Sequence, residues 1–410
     1  HENEDCLGTG GKCVKIAVQT SLTAFQNDIG DVVRLFYGEG AAVEETQQAD
    51  ARLTHIHEEA DGEWRETFVL TDCSGRTEQN TLSAPAVFGG LEEKRQKKRL
   101  IKRCCYMLLK RLSGRQPAWG SLTGIRPTRL YYQQLENGKT RGEARHTLQD
   151  LFDLSQEKID LLDEILDAQQ GLMDRRARAC DVYIGIPFCT TRCAYCSFSS
   201  GEIGDGRLVE PYLAALLHEI EACAEMAREM GLHIRVGYIG GGTPSSLTTP
   251  QLDRLLAHVE RHFGALAEFT VEAGRPDTLD AQKLRMIHDH PVTRISINPQ
   301  TMNDATLTRI GRAHTAKQTV EAYELARSIG FDDINMDVIA ALPGEDYAMF
   351  AHTLAEIRRL RPESLTVHTL AIKRSSRLHE EKYAQAEQDV ARMVALGRQT
   401  AHDMGMRAYY

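Results

Sequence analysis

Asp181-Val-Tyr-Ile-Gly-Ile-Pro-Phe-Cys189-Thr-Thr-Arg-Cys193-Ala-Tyr-Cys196-Ser-Phe198 is the stretch from which the rest of the chain is read. A short apolar strand runs straight into three cysteines spaced C-x3-C-x2-C, with no fourth cysteine or histidine in the same loop. Thiolates held that close suit a metal centre left one ligand short. An iron–sulfur cube held by three cysteines keeps one iron open to a substrate or cofactor. Structural zinc is the rival reading, but it favours four ligands, often as paired C-x2-C units, and no second pair exists here. Cys180 and Cys223 could complete a ligand set. The simpler reading makes them ordinary thiols, together with Cys6, Cys13, Cys73, Cys104 and Cys105.

Downstream of this loop, strand-like and helical patterns alternate. Strands are expected at 181–187, 234–240, 269–273, 294–298, 333–341 and 364–371. Helices are expected at 208–230, 250–263, 278–289, 304–310 with 315–329, 346–360 and 384–404. Near-continuous apolar strands separated by helices imply a parallel sheet with helices outside. Six units are fewer than the eight of a closed barrel, so an open, partial barrel is expected over 181–410. Its strand ends are unusual in sequence. The second closes on Gly240-Gly-Gly-Thr-Pro-Ser245, whose glycines expose main chain to close approach. The third closes on Glu272-Ala-Gly-Arg-Pro-Asp277, and the fourth on Asn298-Pro-Gln300 followed by Gly311-Arg312-Ala-His314. The fifth carries Asn335-Met-Asp337 and the sixth His368-Thr-Leu-Ala371. Singly each is weak, since a Gly triplet is usually a turn and a lone histidine usually a satisfied polar residue. Together they put one shared site on the rim where β/α barrels carry their chemistry.

Upstream, residues 1–112 read as a small α+β domain. A strand is expected at 13–18, a helix at 29–37, and a hairpin pairing 51–57 with 64–70 across the turn Glu58-Glu-Ala-Asp-Gly62. Residues 91–112 should form one amphipathic helix. Leu100, Ile101, Cys104, Cys105, Leu108, Leu109 and Leu112 share one face, and seven Lys and Arg residues between 94 and 103 occupy the other. No aromatic residue interleaves with these cations, so a solvated face docked through its apolar stripe is the preferred reading over a nucleic-acid surface. Residues 113–180 form a helical connector, with helices at 128–137 and 140–170 and the charged linker Asp174-Arg-Arg-Ala-Arg178.

Composition is that of a soluble globular protein, with 42% hydrophobic and 26% charged residues in 410. A net charge of −9 argues against non-specific nucleic-acid binding. The lack of an apolar run of membrane length and the polar first residues predict no membrane span and no signal peptide. The scattered cysteines predict no disulfide framework, which fits a reducing cytoplasm.

With these motifs in hand, the chain resembles the radical S-adenosylmethionine enzymes. Tyr183-Ile-Gly-Ile-Pro-Phe-Cys189 and Ile239-Gly-Gly-Gly-Thr-Pro244 resemble their oxygen-independent coproporphyrinogen III oxidase (coproporphyrinogen dehydrogenase) branch. Trp119-Gly-Ser-Leu-Thr-Gly-Ile-Arg-Pro-Thr128, Val271-Glu-Ala-Gly-Arg-Pro-Asp277, Arg294-Ile-Ser-Ile-Asn-Pro-Gln300 and Ser364-Leu-Thr-Val-His-Thr-Leu370 resemble its HemZ-type subgroup. The resemblance implies an α/β fold, a partial (β/α)6 radical-SAM barrel with an N-terminal α+β domain. It implies that Cys189, Cys193 and Cys196 hold a [4Fe–4S] cluster whose open iron is chelated by S-adenosylmethionine. Gly241, Gly242 and Thr243 match positions beside the methionine moiety. Glu272, Gln300, Arg312, Asp337 and Ala371 match further cofactor-binding positions, and Tyr183 matches a tyrosine of the catalytic site. The implied reaction uses a 5′-deoxyadenosyl radical to convert propionate side chains of coproporphyrinogen III into vinyl groups, with the cofactor carrying the hard chemistry.

A cluster reductant of flavodoxin or ferredoxin type is the implied partner, beside the tetrapyrrole. Two departures accompany the match: Gly185 stands where the oxidase branch has His, and Phe198 where it has a fourth cysteine. The related haem-chaperone branch also lacks that cysteine. A haem-binding or haem-trafficking protein on the same scaffold, or a methyl- or adenosyl-transferase, is the alternative function. The family's C-terminal segment is expected to be absent, since the sequence stops at Tyr410 after the sixth helix.

Overall fold

A computed structural model describes residues 14–38, 40–43, 49–123, 126–172, 178–373, 375–381 and 387–409. Cys6, Cys13, Gly124, Ile125 and linker residues 174–177 lie outside the described residues. The chain divides into two compact units, residues 1–173 with 408–410, and residues 174–407.

The first unit contains a five-stranded mixed sheet of β1 (Ile16–Thr20), β2 (Ala42–Val43), β3 (Ala51–Ala60), β4 (Glu63–Asp72) and β5 (Thr77–Pro85). Their order is β2-β1-β3-β4-β5, with β1 parallel to both neighbours and the later pairs antiparallel. The expected hairpin is present, but its strands run on to Asp61 and Gly62, both at positive φ, which make the turn. β5 is not evident from the sequence, because Thr-Glu-Gln-Asn-Thr-Leu-Ser-Ala-Pro has no apolar alternation for a strand to display. Helices α1 (Gln26–Tyr37) and α2 (Gly90–Ser113) complete this core. On α2, Ile101, Cys104, Cys105, Leu108 and Leu109 are buried as the stripe predicts. Its basic face is largely engaged: Lys98 and Lys102 pair with Asp28 at 2.6 and 3.2 Å, and the Lys97 ammonium lies 4.6 Å over the Trp64 ring.

Three further helices, α3 (Pro127–Glu136), α4 (Arg141–Phe152) and α5 (Gln156–Ala168), share a separate core around Tyr131, Leu148, Ile159 and Leu162. The single helix expected over 140–170 is therefore two. Asp153 adopts φ +57° and closes α4, Ser155 caps α5 by accepting from the Lys158 N–H, and the Asp153 carboxylate is held by Tyr106 and Lys110 at 2.6 Å each. The apolar period runs unbroken through this break, so periodicity alone cannot locate it. Cys73 also departs from expectation, being disulfide-bonded where an ordinary thiol was expected.

The second unit is the β/α assembly. β6 (Ala179–Ile186), β9 (His233–Gly241), β10 (Glu268–Glu272), β11 (Arg294–Ser296), β12 (Ile334–Ala340) and β13 (Ser364–Thr369) form one sheet. The strands lie side by side in chain order, every pair is parallel, and β6 and β13 are the edges. The short pair β7 (Phe188–Cys189) and β8 (Gly201–Glu202) brackets the cysteine loop. Helices α6 (Val209–Glu229), α7 (Thr249–Phe263), α8 (Ala281–Asp289), α9 (Asp304–Arg309), α10 (Ala316–Ile329), α11 (Tyr347–Leu360), α12 (Arg377–Glu380) and α13 (Glu387–Asp403) connect and follow the strands. Their stripes, such as Leu252, Leu255, Leu256 and Val259 on α7, pack on strand residues such as Ile239, Val271, Ile295 and Met336. Caps set the entries: Asp280 accepts from Lys283 N–H, Asp346 from Met349 N–H, and Thr315 forms a capping box with Gln318. This is the expected partial (β/α)6 barrel, and every strand points its C-terminal end to the same rim. No helix among the described residues is long and apolar enough to cross a membrane.

Candidate active site on the barrel rim

The cysteine loop is fixed by main-chain bonds from three directions. Gly242 N–H donates to Ile186 O and Thr243 N–H to Phe188 O, both at 2.7 Å, which ties the loop entry to the end of β9. Ile203 N–H donates to Cys189 O at 2.8 Å and so returns the chain onto β7. On the far side, Ala194 N–H donates to Ile310 O at 2.9 Å, Thr191 Oγ1 to Gly311 O at 2.9 Å, and the Arg377 guanidinium to Arg192 O at 2.8 Å. Arg275 is buried and donates to both Thr191 O and Thr191 Oγ1, at 3.0 and 2.9 Å, while pairing with Asp277 at 3.2 Å. Burial alone would raise the Asp277 carboxyl, but His314 and Arg275 outweigh it and hold the group below the usual carboxylate range.

The three consecutive glycines each answer a separate steric demand. A Cβ on Gly240 would sit 2.8 Å from Glu272 Oε2 and 2.9 Å from Tyr183 Oη. Gly241 has φ +109°, closed to ordinary L residues. A Cβ on Gly242 would sit 2.6 Å from Phe188 O and 2.9 Å from Cys189 Sγ. The turn is thus a cradle whose walls are the cysteine loop and the rim carboxylate. Thr243 Oγ1 adds a 3.5 Å contact to Cys189 Sγ.

Around a cavity of about 630 Å³ stand Tyr183, Cys189, Cys193, Cys196, Gly241, Gly242, Thr243, Glu272, Gln300, Arg312, Asp337 and Ala371. Every residue matched in the sequence to a cluster, cofactor-binding or catalytic position therefore lines one space. His368, Tyr238, Tyr195, Arg275 and Lys373 join them there. Glu272 is pushed up to about 7 by burial first and by the Asp337 carboxylate second, against the pull of Arg312, His368 and the Gly241 N–H. Asp337 accepts from Asn335 Nδ2 at 2.7 Å and lies 3.8 Å from His368 Nε2, and this partner raises the His368 pKa above its ordinary value. The Arg312 guanidinium donates to Asn298 O at 2.8 Å and Gly274 O at 3.3 Å, while its Nε and the Asn298 Oδ1 are buried without a hydrogen-bond partner. Gln300 holds φ +65°, a strained conformation for its residue type. It is pinned by bonds to Asp337 O and from Ile339 N–H, both at 2.9 Å.

His314 is buried, with Nδ1 3.6 Å from Asp277 Oδ1, and it does not line the cavity. Tyr238 was not singled out in the sequence, yet its ring stacks on Tyr183 at 5.6 Å and 11°. The signal was the two-residue strand period, which puts Tyr238 on the face of Gly240 and Asn335 on the face of Asp337. Arg275 and Tyr195 sat inside quoted motifs, but nothing in a linear pattern says that their side chains turn inward.

The donor set suits a three-thiolate metal centre, the Gly242 cradle leaves main chain open directly beside Cys189, and the orphaned Arg312 Nε and Asn298 Oδ1 fit a polar ligand in the cavity. Fold and site together define a parallel β/α-barrel protein whose three loop cysteines line one cavity with the glycine turn and the rim carboxylates. Residues 183–357 match the Radical SAM superfamily. For this chain that match implies a [4Fe–4S] cluster and S-adenosylmethionine as cofactors. It is 40% identical over 317 residues to the oxygen-independent coproporphyrinogen-III oxidase-like protein HemZ of Bacillus subtilis (strain 168), covering 76% of this chain and 63% of that protein. It is 37% identical over 193 residues to the heme chaperone HemW of the same organism, covering 46% of this chain and 50% of the chaperone. The chain thus spans between half and under two thirds of these relatives. The solved structure of coproporphyrinogen III oxidase (HemN) from Escherichia coli superposes with a TM-score of 0.51 at 24% identity, over 58% of this chain and 56% of that one. That likeness supports the barrel fold.

Proposed function

We propose that this protein is a radical S-adenosylmethionine oxidoreductase that oxidatively decarboxylates propionate side chains of coproporphyrinogen III to vinyl groups, in haem biosynthesis. The observation that carries the reading is the convergence of three cysteines, two rim carboxylates and Arg312, whose Nε is buried, on one cavity, in a chain similar to a coproporphyrinogen-oxidase-like relative. Cys189, Cys193 and Cys196 are the ligands of the cluster. Bound there, the cluster and S-adenosylmethionine supply hydrogen-abstracting radical chemistry, with electrons drawn from a flavodoxin- or ferredoxin-type donor in a reducing cytoplasm.

The chain's own residues bind and orient. Gly241 and Gly242 offer main chain to the methionine end of the cofactor, with Thr243 beside them, and Arg312 pairs with a carboxylate. Glu272 and Asp337 accept from an ammonium or from ribose hydroxyls, while Gln300 and Ala371 line the adenosyl side. Tyr183, stacked on Tyr238 and 62% exposed at the mouth, is the residue positioned to meet substrate.

A haem-binding or haem-trafficking role is the second reading, favoured by the HemW relative and by Phe198 standing where the oxidase branch has a fourth cysteine. Anaerobic reconstitution with iron and sulfide, followed by incubation with coproporphyrinogen III or with haem, separates the two. Vinyl product with 5′-deoxyadenosine is expected. Stoichiometric haem binding without turnover overturns the oxidase reading in favour of the second.

A further inference from the structure

Outside the rim site, α6 and α7 bring a second set of metal-ligating side chains together. His258 and His262 are four residues apart on α7, so both imidazoles stand on one face, with ring centroids 4.3 Å apart. Glu221 reaches across from α6, and its Oε1 lies 3.3 Å from His258 Nε2 and 3.8 Å from His262 Nε2. One donor atom from each of the three residues falls within 4.8 Å of the others. With metal–ligand bonds of about 2.0–2.1 Å, the edge of a tetrahedral site is roughly 3.3–3.4 Å. The two carboxylate–imidazole separations lie within tenths of an ångström of that edge. His218, one turn before Glu221, puts a third imidazole 3.9 Å from the other carboxylate oxygen.

We infer that Glu221, His258 and His262 form a binding site for a zinc-type divalent cation that clips α6 to α7. Two imidazoles and a carboxylate are a borderline-soft donor set suited to zinc, and three protein ligands leave a position for water or His218. The site is built rather than scattered. The two helices are packed neighbours, and the histidine side chains are half-buried, at 14% and 26% exposure, beside the more exposed Glu221 carboxylate at 48%. One interaction competes for the same nitrogen and must give way to the metal. His258 Nε2 lies 3.0 Å from Leu217 O, and that carbonyl already accepts the α-helical bond from residue 221. Metal binding at Nε2 leaves the imidazole proton on Nδ1, and Leu217 O keeps its helix partner. The clip has a consequence for the barrel, since α6 follows the cysteine loop and α7 follows the glycine turn, the two segments that make the cradle.

The test uses the anaerobically purified, cluster-reconstituted chain, dialysed against micromolar zinc chloride, with iron and zinc counted by plasma mass spectrometry. About one zinc per chain is expected in addition to the iron. H258A/H262A and, separately, E221Q should lower zinc affinity at least about 100-fold, more than the loss typical of an outer-shell change, with iron content and circular dichroism unaltered. C189A/C193A/C196A should keep the zinc while losing the iron, and zinc should raise the thermal midpoint of the unsubstituted chain but not of H258A/H262A. Zinc retained by H258A/H262A, zinc that replaces iron instead of adding to it, or no zinc bound to the unsubstituted chain overturns the proposal.

Discussion

Each unit buries a glutamate among polar partners, and the two clusters are built on opposite plans. In the first unit both Glu66 oxygens are taken, Oε2 by His55 Nε2 at 2.8 Å and Oε1 by His57 Nδ1 at 2.9 Å. The second nitrogen of His55 meets Thr20 Oγ1 at 2.7 Å, and the ring stacks on Phe68 at 4.5 Å. That network closes on itself. At the barrel rim, Glu272 faces a cavity, has another carboxylate as its neighbour, and shares its surroundings with an arginine nitrogen and an asparagine oxygen that lack partners. Buried polar groups are costly unless satisfied, so a satisfied cluster belongs to the fold and an unsatisfied one to a ligand.

The comparison breaks if the two clusters respond alike to substitution. The largest contrast is between a rim thiolate and the closed network. Cys193→Ala should abolish iron incorporation outright, read as loss of the cluster's visible absorption, with little change in urea unfolding. Glu66→Ala should do the reverse: it strands two imidazoles around a site with no exposure and should cost roughly 3–5 kcal/mol, while the folded fraction still takes up iron. Iron loss from the Glu66 variant in its folded fraction would erase the distinction.

The next effect concerns pH. Glu272 sits near 7 in the folded chain against 4.5 as its ordinary value, so the folded state holds a proton that the unfolded state has released between those limits. Stability should fall as pH rises through that window, by on the order of 3 kcal/mol in total, and level off above it. Glu272→Gln should flatten the curve, as measured by urea unfolding at stepped pH. A bound ammonium favours the ionised carboxylate, so S-adenosylmethionine affinity should climb as pH rises through about 7 in the unsubstituted chain only. Equilibrium dialysis at stepped pH checks this, and an unchanged climb in Glu272→Gln removes Glu272 from the cofactor site.

Much of the rim was legible because parallel β/α architecture converts position along a strand into position in space. Once 181–187, 234–240 and the later strands are drawn, Cys189, Gly241, Glu272, Gln300 and Asp337 must fall on one rim, whatever their distances in sequence. The closed cluster offered no such shortcut. His55, His57 and Glu66 look like polar residues of a hairpin, and only the register pairing His57 with Glu66 brings them together. The helix break at Asp153 was hidden for a related reason, since it is fixed by Tyr106 and Lys110 from a distant helix. Local pattern carries elements and rims, whereas tertiary partners decide breaks and buried pairs.

The smallest contrast lies between Gly185 of β6, beside the open site, and Gly242 of its wall. A Cβ on Gly185 would meet only Tyr183 Cε1, at 3.6 Å, ordinary van der Waals contact, and Gly185 has no positive φ. A Cβ on Gly242 would press into Phe188 O and Cys189 Sγ, and the carbonyl belongs to a backbone held by Thr243 N–H, so it cannot rotate away as a side-chain end could. Gly185→Ala should therefore change stability by less than about 0.5 kcal/mol. Gly242→Ala should cost roughly 1–3 kcal/mol and lower iron occupancy with it, because the strain falls on a cluster ligand. Thermal unfolding and iron content on the pair give the answer. Equal tolerance would mean that the glycine turn only turns the chain, and the cradle would lose its tightest wall.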